Sequence, residues 1–350
     1  MELPAGIRNF SYGRDMAIFR TRTHWAMLLL FLIVLFTFPL YFNNHWLSVL
    51  NLIGITIIAA TGLNILTGYC GQLSIGHAGF IAVGAYTSAV LTGRLELPFM
   101  VGLISAGLVA GFIGMIFGIP SVRVKGFYLA ISTIAAQIII IWVINHWTSV
   151  TGGFDGMRVP AAEIAGLTLI GQGSRFYLVM SIAILVIFFA KNLARTRPGR
   201  AFIAIRDNDL AAEVMGINLF RYKLLAFFIG CFLAGVAGSL LAHCYWGFLS
   251  PENFSIADSI LYIGIIIIGG LGTTVGPIFG VLFIRLLQQG ITQVSPLLEG
   301  TFNLPAGFTT GIGPMIFGLV IILFLILEPR GLAHRWQLFK ASYRLWPFSY

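Results

Sequence analysis

Side chains able to do chemistry are scarce in this sequence, and most sit in or beside long apolar runs. His77 closes a polar interruption of the glycine-rich stretch Gly68 to Phe80, which also carries Gln72 and Ser74; Asn64 lies just before it, and Gln137 stands inside a later apolar run. A second glycine-rich stretch, Ile268 to Pro277, supplies Gly270, Thr273 and Thr274. Groups of these types donate and accept hydrogen bonds, so their chemistry is polar contact with a passing solute; a lone histidine such as His77 or His243 can equally be satisfied by a neighbouring helix. Nothing points to covalent catalysis. No Ser/His/Asp, Cys/His or paired-carboxylate cluster stands out, and no Gly-x-x-x-x-Gly-Lys-Ser/Thr loop exists to hold ATP. Cys70, Cys231 and Cys244 lack metal-ligand spacing and read as small buried hydrophobes. Asp258, Arg285 and Glu328 read as the ends of apolar runs, leaving no buried carboxylate relay of the kind proton-coupled carriers use. The expectation is a chain that is no enzyme, holds no metal or cofactor, and draws its energy from elsewhere.

The elements that must hold these residues follow from composition. With 58% hydrophobic and only 9% charged residues, against about a quarter charged in soluble domains, this is a polytopic membrane protein. From Thr23 to Gly93 no Asp, Glu, Lys or Arg occurs, room for three crossings at about 20 residues each. Open sheet edges cannot face lipid, and the short alternating segments of a barrel are absent, so the expected fold is all-α. The net charge of +9 gives no case for nucleic acid, because the cations gather at run ends, where they set topology. A basic arm, 1–24, precedes the first run without a signal-peptide cleavage site, and the short tails leave no room for a second domain.

Apolar runs extend over Trp25–Phe42, Trp46–Thr67, Ala78–Gly93, Leu97–Ile119, Phe127–Trp147, Phe176–Ala190, Leu224–Pro251 and Gly311–Leu327. The stretch 258–290 needs two crossings, hinged at Gly269–Gly276, if the basic tail 329–350 is to lie on the same side as the basic arm. The total is a helical bundle of about ten transmembrane helices with both ends inside and two Gly-rich broken segments. Such breaks either line a solute path or are tight packing turns. The pairs Gly107/Gly111 and Gly114/Gly118 have the spacing that lets helix backbones approach closely.

Between two apolar runs lies Lys191 to Lys223, the one sizeable soluble patch, with seven of the 21 Lys and Arg. Asp207, Asn208 and Asp209 suit a helix N-terminus, Leu210 to Met215 favours helix, and Gly216 with Asn218 suits its end. A short helix with exposed Ala211 and Ala212 results, which is either a solvated loop helix or a docking element for a partner.

Here the sequence resembles a known family. Ala211-Ala212-Glu213-x-x-Gly216 looks like the coupling-loop signature of ABC importer permeases, and Pro198-Gly-Arg-Ala201, Ile205-Arg-Asp207 and Gly216-Ile-Asn218 are similar to the LivM-type permeases of branched-chain amino acid importers. Gly62-Leu-Asn64 with Thr67-Gly-Tyr69, Gly71-Gln-Leu-Ser-x-Gly-His77 with Gly84-Ala-Tyr86, Phe127-Tyr-Leu-Ala-Ile131, Thr151-Gly-Gly153, Ala234-Gly-x-Ala-Gly238, Gly269-Gly-x-Gly272 with Gly276-Pro277, and Glu328-Pro-Arg-Gly331 match that pattern in order. One departure is Ala135-Ala-Gln137, where the family commonly has an acid. Relatives of this kind also carry urea, short amides and aromatic or dicarboxylic acids.

The resemblance implies a permease domain over 25–328 in a bacterial inner membrane. It implies a homologous second permease, two cytoplasmic ABC ATPases that bind the ATP, and a periplasmic solute-binding protein over segments 148–175 and 291–307. Arg200, Arg206, Asp207, Asp209, Ala211, Ala212, Glu213 and Gly216 would couple to the ATPase. Asn64, Gln72, Ser74, His77, Gln137, Gly270, Thr273 and Thr274 would line the path. The alternative is a secondary carrier or channel working without ATPase subunits.

Overall fold

A computed structural model describes residues 22–122, 126–164, 166–302 and 308–345. The basic arm up to Arg20, the turn at Arg123 and Lys125, residues 303–307 and the tail from 346 lie outside the described residues. Its main helices are α1 (Arg22–Tyr41), α2 (Asn44–Leu63), α3 (His77–Gly93), α4 (Phe99–Val122), α5 (Phe127–His146), α6 (Gln172–Leu193), α7 (Arg197–Asp207), α8 (Asp209–Val214), α9 (Leu219–Leu240), α10 (Ile256–Gly269), α11 (Gly276–Phe302), α12 (Phe308–Leu327) and α13 (Leu332–Leu345). Among the described residues the only strands are two-residue pairs, Met157–Arg158 with Phe248–Leu249 and Glu163–Ile164 with Leu167–Thr168.

A helix satisfies all its interior backbone groups within itself, which is why every apolar run takes this form. Among the described residues six helices are long and apolar enough to cross a membrane, or seven if the bent pair Gly313–Leu327 and Leu332–Ser342 is one span. The ten crossings expected from the runs are therefore not reached on length and apolarity. α3, at 17 residues, falls short because it starts only at His77, beyond the first break, whereas α10 reaches spanning length together with the turn before it, from Pro251 to Gly269.

α9 is the centre of the bundle and packs against α4, α3 and α2. Small residues make this possible. Gly62 faces the backbone of Gly230, Gly84 lies on Gly235, and Gly238 lies on the carbonyl of Ile81. Gly107, Gly111, Gly114 and Gly118 of α4 face Phe232, Phe228, Cys231 and Phe227 of α9, so these glycines are packing positions. Both central helices end in a π-turn, Asn64–Tyr69 after α2 and Leu241–Trp246 after α9. Rows of exposed Leu, Ile and Phe on α1, α4, α5 and α12 form the apolar outer surface.

Candidate functional site

The soluble patch contains two helices where the sequence suggests one. Thr196 caps α7 by accepting the Gly199 amide hydrogen at 3.4 Å, and Pro198 sits in the first turn, where its missing N–H costs nothing. Asn208 ends α7 and caps α8, accepting from the Ala211 amide at 3.1 Å. Asp207 is instead the last residue of α7 and Asp209 the first of α8. Gly216 stops α8 in the left-handed region at φ 84°, while Asn218 caps the start of α9 rather than closing α8. Ala212 is buried against the bundle, contrary to the expected exposure, because it lies on the inward face of the short helix; Ala211 and Glu213 are exposed. The outward face carries Leu210, Val214 and Met215, which are 66%, 87% and 82% exposed.

The root of α8 is held tightly. Lys223 of α9, with only 4% of its side chain exposed, pairs with Asp209 at 3.7 Å. Arg206 binds Asp207 through Nε and Nη2 at 3.0 and 2.9 Å, and its Nη1 donates to the carbonyl of Gly68 at 3.0 Å. Arg200 donates to the Arg195 carbonyl within the loop.

Gly68 lies in the first break, and the first break is bound to the second. Asn64 donates through Nδ2 to the Thr273 carbonyl at 2.8 Å, while its Oδ1 accepts the Gly272 amide hydrogen at 2.9 Å. Gly272, at φ 71°, presses so closely on Gly68 and on Arg206 that a Cβ there would meet both. Thr273 staples the turn by donating to the Gly270 carbonyl and accepting from the Gly276 amide, and Thr274 hydrogen-bonds Tyr69. Gly270 rests on Arg330, Gly331 and Ala333, beyond α12, where Arg335 pairs with Glu328. The two breaks, the soluble loop and the tail thus meet at one junction. Beside it a cavity of about 360 Å³ is lined by Gln72, Arg206, Asp207, Asn208, Asp209 and Lys223, among others.

The remaining polar residues lie deeper. His77, fully buried, contacts the Ala59 carbonyl through Nε2 at 3.0 Å and meets Tyr262 edge to face. Its Nδ1 has no partner, and neither do the Ser74 hydroxyl and Gln72 Oε1. Gln137 is fully engaged, since its Oε1 accepts from Ser259, which accepts from the Ala78 amide, and its Nε2 donates to the Phe254 carbonyl. It also lines a separate cavity of about 560 Å³ with Asn145, Glu252 and Phe254. Among the path residues named from sequence, Asn64, Gly270, Thr273 and Thr274 therefore belong to the junction, while Ser74, His77 and Gln137 belong to the bundle interior.

Arg285 is the residue that reading apolar runs misplaced. It stands inside α11, not at a run end, because the helix continues through Gln288 and Gln289. Its Nε and Nη2 donate to the Thr56 hydroxyl oxygen at 3.2 and 3.0 Å, and Nη1 donates to Gln288 at 3.0 Å. The signal available in sequence was periodicity: Arg285, Gln288, Gln289 and Thr292 share one helix face.

Comparison with known proteins adds the following. The family described as branched-chain amino acid transport system / permease component matches residues 46–327. The chain is 32% identical to the high-affinity branched-chain amino acid transport system permease protein LivM of Salmonella typhimurium, over 87% of this chain and 74% of that one. It is also 32% identical to LivM of Escherichia coli K12, over 86% and 73%. The autoinducer 2 import system permease protein LsrC of Escherichia coli DH10B is 26% identical, over 86% of each. No solved structure matches.

Proposed function

The chain belongs to the family of branched-chain amino acid transport system permease components, and from that premise we propose that it is the membrane-spanning permease subunit of an ATP-driven ABC importer. Its solute would be a branched-chain amino acid or a related small polar or amphiphilic molecule. The observation that carries this reading is the build of α8: an apolar outward face of Leu210, Val214 and Met215, on a root tied by Arg206 to the first break and through it to the second. An exposed apolar face on a capped helix suits a partner's groove.

In this reading each of two ATPases receives such a helix from one permease, this chain and a homologous second one, and a periplasmic binding protein delivers solute at the far end. The chain lies in the bacterial inner membrane with both termini in the cytoplasm, and ATP is held by the partner subunits. Closure of the ATPases pushes α8. The Asp209–Lys223 pair passes the push to α9, and Arg206 passes it to the backbone of the breaks, whose rearrangement opens or closes the path.

The test is to purify the protein from native membrane in mild detergent and identify its companions; absence of an ATPase refutes the reading. Gly216→Pro combined with Glu213→Arg should insert normally yet lose coupled ATP hydrolysis, because proline cannot adopt the left-handed φ that Gly216 holds. Full transport by that variant would make α8 a mere solvated loop.

A further inference from the structure

An arginine inside a transmembrane helix is costly unless it meets a compensating group, and such residues mark solute or ion pathways. Arg285 lies about 14 Å along α11 from its start at Gly276, at about 1.5 Å per residue, and its partner Thr56 lies about 18 Å along α2 from Asn44. α11 is not one of the six helices apolar enough to count as spans, but its 27 residues exceed the length that crosses an apolar core about 30 Å thick, and Arg285 lies well inside it. Among the described residues no carboxylate forms a salt bridge with Arg285; its three hydrogen bonds go to neutral oxygens, two to Thr56 and one to Gln288. The Thr56 hydroxyl hydrogen is itself committed to the Leu52 carbonyl, so its oxygen is free to accept.

A guanidinium has five N–H donors. Three are used, leaving one hydrogen on each terminal nitrogen that a carboxylate oxygen can accept. Arg285 is also part of a stripe. Gln288, Gln289 and Thr292 follow it on the same face of α11, none of them fully buried. Gln289 reaches His45 at the start of α2, at 2.9 Å. A polar, partly open face of this length on a membrane helix needs water or another polar surface in front of it.

We propose that the α2–α11 seam is a wall of the translocation path and that Arg285, oriented by Thr56 and Gln288, is the binding residue for the carboxylate of the solute in transit. The inference deepens the permease reading and rests on it. It commits the solute to a molecule bearing a carboxylate, and it puts the path on a stripe beginning near His45 and reaching Arg285 at depth. Solute meeting this stripe would also meet the second permease, whose facing surface would complete the path.

The test uses the full complex in proteoliposomes with its binding protein, and measures uptake of labelled L-leucine, succinate and urea. The wild type should take up a carboxylate-bearing probe; Arg285→Gln should lower that uptake at least tenfold, and Arg285→Lys should keep an intermediate rate, since an ammonium supplies charge without the fork. Copurification of the partner subunits with each variant establishes that the complex is assembled. Separately, Gln288→Cys and Thr292→Cys should react with a water-soluble thiosulfonate reagent, and the transported probe should slow that reaction. Uptake of urea alone by the wild type, unchanged uptake by assembled Arg285→Gln, or thiols inert to the reagent would each overturn the inference while leaving ATP-driven transport standing. A wild-type complex with no ATP-driven uptake of any probe would instead refute the permease reading, and the labelling would still decide whether the stripe faces water.

Discussion

Replacing Asn64 by alanine removes both hydrogen bonds that join the first break to the second. The Gly272 amide loses its acceptor and the Thr273 carbonyl its donor, at 2.9 and 2.8 Å in the intact protein. A buried polar group left without a partner costs about 1–3 kcal/mol, so the pair brackets a loss of about 2–6 kcal/mol. Asn64 itself is 1% exposed, but Gly272 and Thr273 are only half-buried, and water can replace part of what the side chain supplied. The lower part of the range, about 2–3 kcal/mol, is expected. The loss is local, because the turn keeps its Thr273 staple and its contact with Gly331. At about 1.4 kcal/mol per factor of ten, backbone amides of 270–276 should open about 30- to 150-fold more often. Hydrogen–deuterium exchange of the detergent-purified protein, followed by mass spectrometry, reads this directly on peptides covering the turn. Peptides from α9 should exchange as in the wild type. If exchange at 270–276 changes by less than about threefold, Asn64 does not hold the two breaks together, and the route from soluble loop to hinge fails with it.

Other substitutions probe the same architecture. Asp209→Ala strands Lys223, whose side chain is 4% exposed, and should destabilise by about 3 kcal/mol, whereas Asp207→Ala breaks an exposed pair and should cost less than about 1 kcal/mol; thermal melts in detergent would compare them. Gly238→Ala puts a methyl onto the Ile81 carbonyl and forces α3 and α9 apart, with an expected loss of at least about 1–3 kcal/mol seen as a lowered melting temperature. Gln137→Leu leaves the Phe254 carbonyl and the Ser259 hydroxyl without their partner and should cost about 2–3 kcal/mol, an effect absent if water fills the site.

The helices were legible in sequence because in a bilayer an apolar run has few alternatives to a helix. The packing glycines were legible for a related reason, as their four-residue spacing puts them on one face. What was hidden depended on contacts between distant segments. Nothing local in Asn64 announces that it will bond to residues 208 and 209 positions later. α7 was hidden by its own start, since Arg197-Pro198-Gly199 reads as a turn until Thr196 is seen to cap it. Arg285 is hidden because a charge after an apolar stretch looks like the end of a run, whereas the residues beyond it continue the helix with a polar face. Ala212 was misplaced for want of a direction: only packing tells which side of a six-residue helix faces inward.

Placing the junction constrains how motion can travel. α9, α4, α3 and the second half of α2 interlock through glycine-to-backbone contacts, where even a methyl has no room, so this block would be expected to move as one body. The α10–α11 hairpin joins it differently. Its turn is held by the Asn64 hydrogen bonds and by Gly331, and its long helix meets α2 along the polar seam of His45, Thr56 and Arg285. Hydrogen bonds between polar side chains can be exchanged for others during a shift, whereas interdigitated backbones cannot slide without separating. The hairpin shares the buried core with the block through Tyr262, Ile265 and Ile284 but lacks these glycine interlocks with it, so it would be the element to move against the block, with Arg206 reaching the Gly68 carbonyl where the two meet. A push on α8 that draws Arg206 away from Gly68 would loosen the clasp at one end of the hairpin while altering the Thr56–Arg285 contact partway along it. In that geometry, the proposed solute release at Arg285 and the proposed stroke at α8 would be consequences of the same displacement.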